Sequence, residues 1–177
     1  MRNSDYGKRD GRGVGELVMN DLYLGIDVGT SSAKVVAMDG EGKVLGVGKS
    51  SYNTSSPQAG FVEQDPETWA QAVRDSIANI QSQVKDSDSV RAIGMTGQMH
   101  GLVMLDVHLQ PLAPAILWPD TRSANEVREI RERFGSELFE LTGGPTATGF
   151  LLASLLWIKR NRPDIYGKVH VVLTPKD

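Results

Sequence analysis

The sequence predicts an α/β fold, a mixed sheet that begins with an antiparallel three-strand meander and is flanked by helices. Apolar residues alternate over residues 22–28, as in a strand with one buried face. The Asp39-Gly40 step after the next apolar run is a strong hairpin signal. Apolar residues then recur at three- and four-residue steps over residues 66–85, and another strand pattern follows. Because a helix makes this crossover, we expect the later strand to lie parallel to the first.

The composition is that of one globular domain with a small-molecule partner. A chain of 177 residues is long enough to bury a sizeable core. Its net charge of −3 gives no broad attraction for nucleic acid or anionic lipid. The sequence has no cysteine, which excludes disulfides and thiolate metal sites, and it has no membrane-spanning run or secretory signal pattern. We therefore expect a cytoplasmic protein without nucleic-acid or membrane partners, and a homodimer is compatible with these observations.

Residues 1–20 are rich in glycine and charge and show no sustained apolar period. Such a segment cannot bury enough apolar area to offset the entropy lost on ordering it. We expect residues 1–20 to be a disordered leader or a cloning remnant, and residues 21–177 to form the folded domain.

The first strand delivers a carboxylate into a hydroxyl-rich turn. Strand alternation puts the apolar residues of 22–28 on one face and Asp27 on the other, at the end of the strand. Gly29 permits a sharp reversal, in which successive backbone N–H groups form an anion-binding nest. The turn adds three hydroxyl donors for phosphate oxygens, those of Thr30, Ser31 and Ser32. We expect Asp27 to hold Mg²⁺ through water beside a polyphosphate; the alternative is a polar hairpin whose aspartate caps its own turn.

Two more strands, at 33–38 and 44–47, precede a helix with clear start signals. Asp65 can cap the helix, Pro66 suits its first position, and Glu67 complements its dipole. The apolar face that we expect to pack on the sheet, as far as about residue 85, consists of Trp69, Val73, Ile77, Ile80 and Val84.

The second half of the chain alternates short apolar segments with helices. Strand patterns or apolar segments lie at 90–95, 102–105, 115–118 and 169–173. Ser123 and Glu126 have the spacing of a capping box, before a helix that ends at Gly135. The apolar face of this helix consists of Val127, Ile130 and Phe134. Further helices are predicted around Leu138 and Leu141 and over about 150–162.

Three loops follow predicted strand ends, at 29–32, 97–101 and 119–122. The carboxyl ends of parallel strands form the ligand crevice of an open α/β sheet, so we expect these loops to line one pocket. In the second loop Gln98 offers an amide, His100 an imidazole and Met99 an apolar wall, which suits a polyhydroxylated substrate. Taken alone, His100 is better explained as a structural histidine, but its neighbours Gln98 and Gly101 favour a role in binding.

The third loop contains Trp118, which can lie against a sugar face and leave Asp120 and Arg122 for hydroxyl or loop contacts. The alternative is a strand-to-helix turn in which Asp120 or Ser123 caps and Trp118 is core. Trp157 lies among leucines of a helix and is predicted to pack. The sequence contains neither a Gly-x-x-x-x-Gly-Lys-Ser/Thr loop nor a Gly-x-Gly-x-x-Gly turn between strand and helix, which argues against those nucleotide-binding folds.

The chain resembles the N-terminal domain of FGGY-family carbohydrate kinases, and is most similar to the xylulokinases among them. The resemblance runs from about residue 22 to the end, and the Gln-Met-His-Gly segment points to xylulokinases. The segments that carry it are Gly25 to Ser32, Glu63 to Glu67, Gly97 to Gly101, Ile116 to Arg122, and Thr174 to Asp177.

The resemblance implies a ribonuclease-H-like sheet of the actin-like ATPase type, with ATP and sugar meeting in a cleft between two such domains. It implies Asp27 near Mg²⁺ and phosphate, the turn Gly29 to Ser32 around the phosphates, and Met99 and His100 against a ketose. The implied reaction is ATP-dependent phosphorylation of a ketopentose, D-xylulose to D-xylulose 5-phosphate. The alternatives are another sugar, a polyol or gluconate as substrate, or a non-catalytic actin-like nucleotide- or sugar-binding module.

Two features depart from the family pattern. Leu151 to Ser154 stand where similar enzymes often have Thr-Ala-Pro-Lys. The aspartate that serves as the family's catalytic base lies beyond the position matched by Asp177, so the general base is not in this chain. We therefore expect residues 21–177 to be a truncated domain without kinase activity of its own.

Overall fold

A computed structural model of the protein describes residues 21–84 and 89–177, so the predicted leader at 1–20 lies outside the described residues. The strands and helices in chain order are β1 (Asp21–Val28), β2 (Ser32–Met38), β3 (Val44–Ser51), β4 (Glu63–Gln64), α1 (Pro66–Gln81), β5 (Ser89–Gly97), β6 (Val103–Leu105), β7 (Ala115–Ile116), α2 (Ala124–Phe134), α3 (Glu137–Thr142), α4 (Leu151–Asn161), α5 (Pro163–Tyr166) and β8 (Val171–Leu173). Within the described part of the chain, no helix combines the length and apolarity needed to cross a membrane.

The main sheet has the order β3-β2-β1-β5, with β1, β2 and β3 antiparallel and β5 parallel to β1. The predicted meander and parallel crossover strand are therefore confirmed. In the turn between β2 and β3, the Asp39 carboxylate accepts from the N–H groups of Glu41 and Lys43. Strand β3 extends to Ser51, beyond the predicted end at residue 47. Gly46 and Gly48 have no side chains, so they interrupt the alternating pattern that marks a strand in the sequence. Their backbone nevertheless continues the hydrogen-bonded pairing with β2.

Helix α1 covers one face of this sheet, as predicted. The Asp65 carboxylate accepts from Glu67 N–H at 3.0 Å, and Pro66 occupies the first turn. The predicted apolar face joins the core that β1 and β2 form through Leu22, Leu24, Ile26, Val28, Val35 and Ala37. The helix ends at Gln81, earlier than predicted, in a tightened last turn in which Gln83 N–H donates to the Ile80 carbonyl at 2.7 Å and shares that acceptor with Val84 N–H.

The opposite face of the sheet is uncovered in the described structure. On that face Tyr23 of β1 is 36% exposed, and Lys34 of β2, which pairs with Asp27, is also exposed. Ile93 and Met95 of the edge strand β5 are 55% exposed as well, but they align with Leu24 and Ile26 on the α1 side of the sheet. Asp27 projects from the uncovered face, because strand alternation separates it from buried Ile26 and Val28. The carboxylate predicted to act in the site is thus presented on an open surface.

The second half of the chain packs beside the sheet. Strand β6 pairs with β8 and β4 pairs with β7, both antiparallel. A second core consists of Leu102, Met104, Ile116, Ile158 and Ile165. A third, between α2, α3 and α4, consists of Val127, Ile130, Leu138 and Ala153. Strands β7 and β8 are shorter than the predicted segments, since Leu117 N–H donates instead to Val62 and Val169 N–H closes a turn with Tyr166.

Two details of helix α2 differ from expectation. Ser123 starts the helix, but its hydroxyl forms no capping bond and has no partner among the described residues. The predicted capping box is wrong because the Glu126 carboxylate turns to Arg160 of α4, at 3.4 Å. Phe134, predicted on the buried face, is 37% exposed, since the helix ends at Gly135 before another element can cover that ring.

Candidate active site

The turn after β1 exposes backbone donors. Gly29 N–H donates to the Ser32 carbonyl at 3.0 Å, which closes the turn. The carbonyl of Gly29 accepts from the Tyr52 hydroxyl at 2.5 Å, and the carbonyl of Thr30 accepts from Gln64 Nε2 at 2.7 Å. In a planar trans peptide the N–H points opposite to the C=O, so these bonds direct the N–H groups of residues 30 and 31 away from the protein.

Those two N–H groups, of Thr30 and Ser31, have no hydrogen-bond partner among residues 21–84 and 89–177. Adjacent free donors in a tight turn form a concavity for anions. The exposed hydroxyl of Ser31 and the half-buried ones of Thr30 and Ser32 lie in the same turn. The turn predicted to bind phosphate therefore has its donors directed outward.

Tyr52 is the anchor of this turn. Burial, and secondarily the charge of Asp27, raise the pKa of Tyr52 to about 12. The hydroxyl is therefore protonated at neutral pH and serves as a donor to Gly29. The Tyr52 N–H also donates to the Ser31 carbonyl at 3.1 Å, so this one residue holds the turn by two bonds.

Asp27 borders an open depression of about 400 Å³ on the uncovered face of the sheet. Gly25 and Gly94 form its floor, and the cationic Lys34 stands on the same face. In the described part of the chain Asp27 forms no ion pair, and no cluster of three or more metal-ligating side chains occurs. A free carboxylate beside phosphate donors suits Mg²⁺, which binds through a few carboxylates, waters and substrate phosphates.

The loop after β5 lies next to this turn. Gln98 N–H donates to the Val28 carbonyl at 2.8 Å, so the loop starts from the end of β1. The Gln98 side chain is 9% exposed; its Nε2 donates to Gln64, and its Oε1 has no partner among the described residues. Met99, in contrast, is 66% exposed. The predicted loop therefore combines a buried amide with an accessible apolar side chain.

His100 has a backbone φ of 67°, in the left-handed region. Its ring stacks on Phe150 with centroids 3.7 Å apart and an interplanar angle of 8°. It lines a cavity of about 270 Å³ together with Thr142, Thr146 and Phe150. An uncommon backbone conformation held by stacking is typical of a side chain fixed for a role, and the substrate contact of His100 stays a prediction.

The third loop joins the first through Trp118. This indole is 49% exposed and its Nε1 donates to Thr30 Oγ1 at 3.3 Å. Trp118 is thus not core, and its exposed ring remains a candidate for contact with a sugar. The three loops predicted to converge are brought together by this bond and by the Gln64 and Gln98 contacts.

Asp120 requires a correction. Its side chain is fully buried; its Oδ2 accepts from Val62 N–H at 2.7 Å and from Arg122 Nη2 at 2.8 Å. Arg122 also binds Glu63 at 2.7 Å and lies 3.6 Å over the Phe61 ring. The assignment of Asp120 to a substrate contact is wrong in this structure, because the carboxylate serves the strand-to-helix turn. Trp157 packs at 5.6 Å edge-on against Phe61, as predicted.

Tyr52, Gln64 and Phe150 are site residues that sequence reasoning missed. Each acts on a partner far along the chain: Tyr52 on Gly29, Gln64 on Thr30 and Phe150 on His100. Gln64 lies in the Glu63 to Glu67 segment that carries the family resemblance. Membership in that segment was the one sequence signal for Gln64. Helix capping explains Asp65 and the residues after it, but it gives no role to Gln64.

Comparison with known proteins gives a consistent result. Residues 22–177 match the N-terminal domain of the FGGY family of carbohydrate kinases. A xylulose kinase of Lactococcus lactis is 37% identical over 155 residues, which are 87% of this chain and 31% of that protein. The crystal structure of a xyloylose kinase from Brucella ovis shares a TM-score of 0.83 and 37% identity, covering 88% of this chain and 33% of that one.

A gluconate kinase from Lactobacillus acidophilus has a TM-score of 0.82 at 25% identity, over 88% of this chain and 32% of that one. The solved neighbours are sugar kinases of the actin-like ATPase fold, which confirms the predicted fold class. The chain spans about a third of the length of the relatives it matches.

Proposed function

Because this chain belongs to the FGGY family of carbohydrate kinases, we propose that it supplies the phosphate- and sugar-binding part of an ATP-dependent kinase for D-xylulose. The observation that carries the proposal is the pair of outward N–H groups, at Thr30 and Ser31, beside the free carboxylate of Asp27. A nest of donors next to a single carboxylate fits a nucleotide polyphosphate with its metal ion better than it fits a neutral ligand.

In this proposal the turn binds phosphate oxygens through the N–H groups of Thr30 and Ser31 and the hydroxyls of residues 30–32. Asp27 would hold Mg²⁺ through water, and the ion would supply charge neutralisation for the phosphates. Phosphoryl transfer requires little covalent chemistry from the protein, so the contribution of these residues is position and charge. The proton acceptor for the sugar hydroxyl comes from sequence outside these 177 residues.

The sugar end is formed by Gln98, Met99, His100 and Trp118. They combine an amide, an imidazole and two apolar surfaces, which can align a polyhydroxylated chain without binding a charge. The xylulose kinases among the relatives favour D-xylulose as the substrate, with D-xylulose 5-phosphate as the product.

A second candidate is phosphorylation of a sugar acid or a polyol. It is supported by the likeness to gluconate kinase, whose fold agrees as well as that of the xylulose kinases. The residues of the sugar end, Gln98, Met99, His100 and Trp118, include neither lysine nor arginine, and Lys34 lies beside Asp27 instead, so this end offers no permanent cation for a carboxylate. D-xylulose therefore remains the first choice.

The test is a substrate panel with the full gene product that contains this chain, read as sugar-dependent ADP formation. We expect D-xylulose to have a kcat/KM at least about tenfold above those of gluconate, glycerol and other ketoses. A preference for gluconate or glycerol would replace the substrate, and no activity on any sugar would reject the proposed function.

A further inference from the structure

Gln64 is a buried amide between the candidate phosphate turn and the candidate sugar loop. Its side chain is 2% exposed. Its Nε2 donates to the Thr30 carbonyl at 2.7 Å and to Thr54 Oγ1 at 2.9 Å. Its Oε1 accepts from Trp69 Nε1 at 2.8 Å and from Gln98 Nε2 at 3.2 Å. Two donor contacts and two acceptor contacts are thus made by one side chain.

The orientation of this amide is fixed by chemistry. An indole N–H only donates, so Trp69 requires the oxygen of Gln64 on its side. The nitrogen of Gln64 then faces Thr30, and the Gln98 nitrogen must face the oxygen of Gln64. Trp69 belongs to α1, whose packing on the sheet core is independent of any ligand.

We propose that Gln64 is a positioning residue for phosphoryl transfer, because it fixes the Thr30 turn relative to the Gln98 loop; this inference rests on the proposed function. Gln64 is too buried to contact either substrate. It holds the Thr30 carbonyl inward, which directs the Ser31 N–H toward the phosphates. Through Gln98 it also holds the loop that carries Met99 and His100.

The test is the isosteric variant Gln64→Glu in the full gene product. It keeps the acceptor for Trp69 and Gln98 but replaces the donor to Thr30 by a carboxylate oxygen that repels the carbonyl. We expect kcat to fall by about 10- to 100-fold near neutral pH, with KM for ATP and sugar changed by less than about threefold. The loss should shrink as pH falls, because the protonated carboxyl can again donate to Thr30.

The matched control is Gln83→Glu. Gln83 also donates Nε2 to backbone carbonyls, those of Val47 at 3.1 Å and Asn79 at 2.8 Å, but it lies beyond the end of α1 and outside the site. Its kcat should stay within about twofold of the wild type at every pH. A folded Gln64→Glu protein with the same kcat as this control would overturn the proposal.

Two measurements keep the inference testable if that variant does not fold or if the kinase assay fails. Trp69→Phe removes the donor that orients Gln64, together with part of a buried ring, and should lower kcat by about three- to tenfold; an unchanged kcat overturns the proposal. If the wild type phosphorylates no sugar, the proposed function fails. The indole N–H signals in an NMR spectrum then test whether Gln64 still fixes the Thr30 turn. Changing Gln64 must then shift the signal of Trp118, which binds Thr30, and not that of Trp157.

Discussion

The Tyr52 hydroxyl connects the chemistry of one side chain to the shape of the candidate phosphate turn. It donates to Gly29 and lies near the negative charge of Asp27. In the folded state the proton stays on Tyr52 up to about pH 12, whereas an unfolded tyrosine loses it near pH 10.0. The stabilisation from this group is therefore fully present below pH 10.0 and is lost as the pH rises toward 12.

We predict that Tyr52→Phe removes this alkaline loss. At neutral pH the variant should lose about 1 kcal/mol of unfolding free energy, the net value of one hydrogen bond. Between pH 10.0 and about 12 its stability should fall less steeply than that of the wild type, as measured by urea unfolding. Parallel decline of the two proteins would mean that Tyr52 does not retain its proton in the fold.

At this scale the sequence predicts residues whose role is local. Asp27 is identified by strand alternation and Gly29 by the turn, and both lie as predicted. Gln64 and Tyr52 act on partners 34 and 23 residues away, which periodicity does not reveal. Asp120 was misassigned for the same reason, since its bond to Val62 spans 58 residues.

Helix α1 and strand β3 approach unusually closely at Gly48. A Cβ added there would lie 1.9 Å from the Ser76 carbonyl oxygen, so the helix must move to admit any side chain. The Ser76 hydroxyl is itself buried and donates to Ala72 at 2.7 Å. The contact lets α1 bring Trp69 to Gln64, and it therefore also supports the site.

We predict that Gly48→Ala lowers the free energy of unfolding by about 3 kcal/mol through overpacking. Gly94→Ala is the matched control in the same sheet, because nothing lies within 4 Å of its added Cβ. That variant should change stability by no more than about 0.5 kcal/mol in urea unfolding. Equal stability of the two variants would show that the Ser76 carbonyl of α1 does not lie against Gly48.

Helix starts that depend on neighbouring residues were predictable from the sequence. Helix starts that depend on contacts with distant residues were less predictable. Asp65 and Pro66 define the start of α1 in both sequence and structure. The Ser123 box has an equally good pattern, but Glu126 finds Arg160 on another helix and the cap does not form. The pattern could not show that competing partner, because it lies 34 residues away.

At the scale of the whole molecule, the sequence predicted the antiparallel meander and the parallel strand after α1, but not how exposed that strand is. Val90, Ile93 and Met95 of β5 are each about half exposed, because β5 lies at the edge of the sheet and α1 packs mainly on β2 and β3. Burial depends on what else packs on the strand, which the strand's own residues do not encode. Asp27 lies on the other face of the sheet, level with Thr96 of β5.

We predict that the 177-residue chain alone gives no sugar-dependent ADP formation, while the full gene product does. Asp177, the last carboxylate of this sequence, is poorly suited to act as the base. Its bonds from Lys176 and Thr174 lower its pKa to about 2, and a general base works best with a pKa near the operating pH. Steady turnover by the isolated chain would show that it contains its own proton acceptor.

The most direct measurement is kcat of Asp27→Asn in the full gene product at saturating ATP, Mg²⁺ and D-xylulose. Asp75→Asn is its control, an exposed aspartate on α1 that bonds only Gln71 among the described residues. We predict that Asp27→Asn loses at least about 100-fold in kcat, while the control stays within about twofold. An Asp27→Asn enzyme that turns over as fast as the control would contradict the assignment of Asp27 and its turn to the metal-bound phosphates.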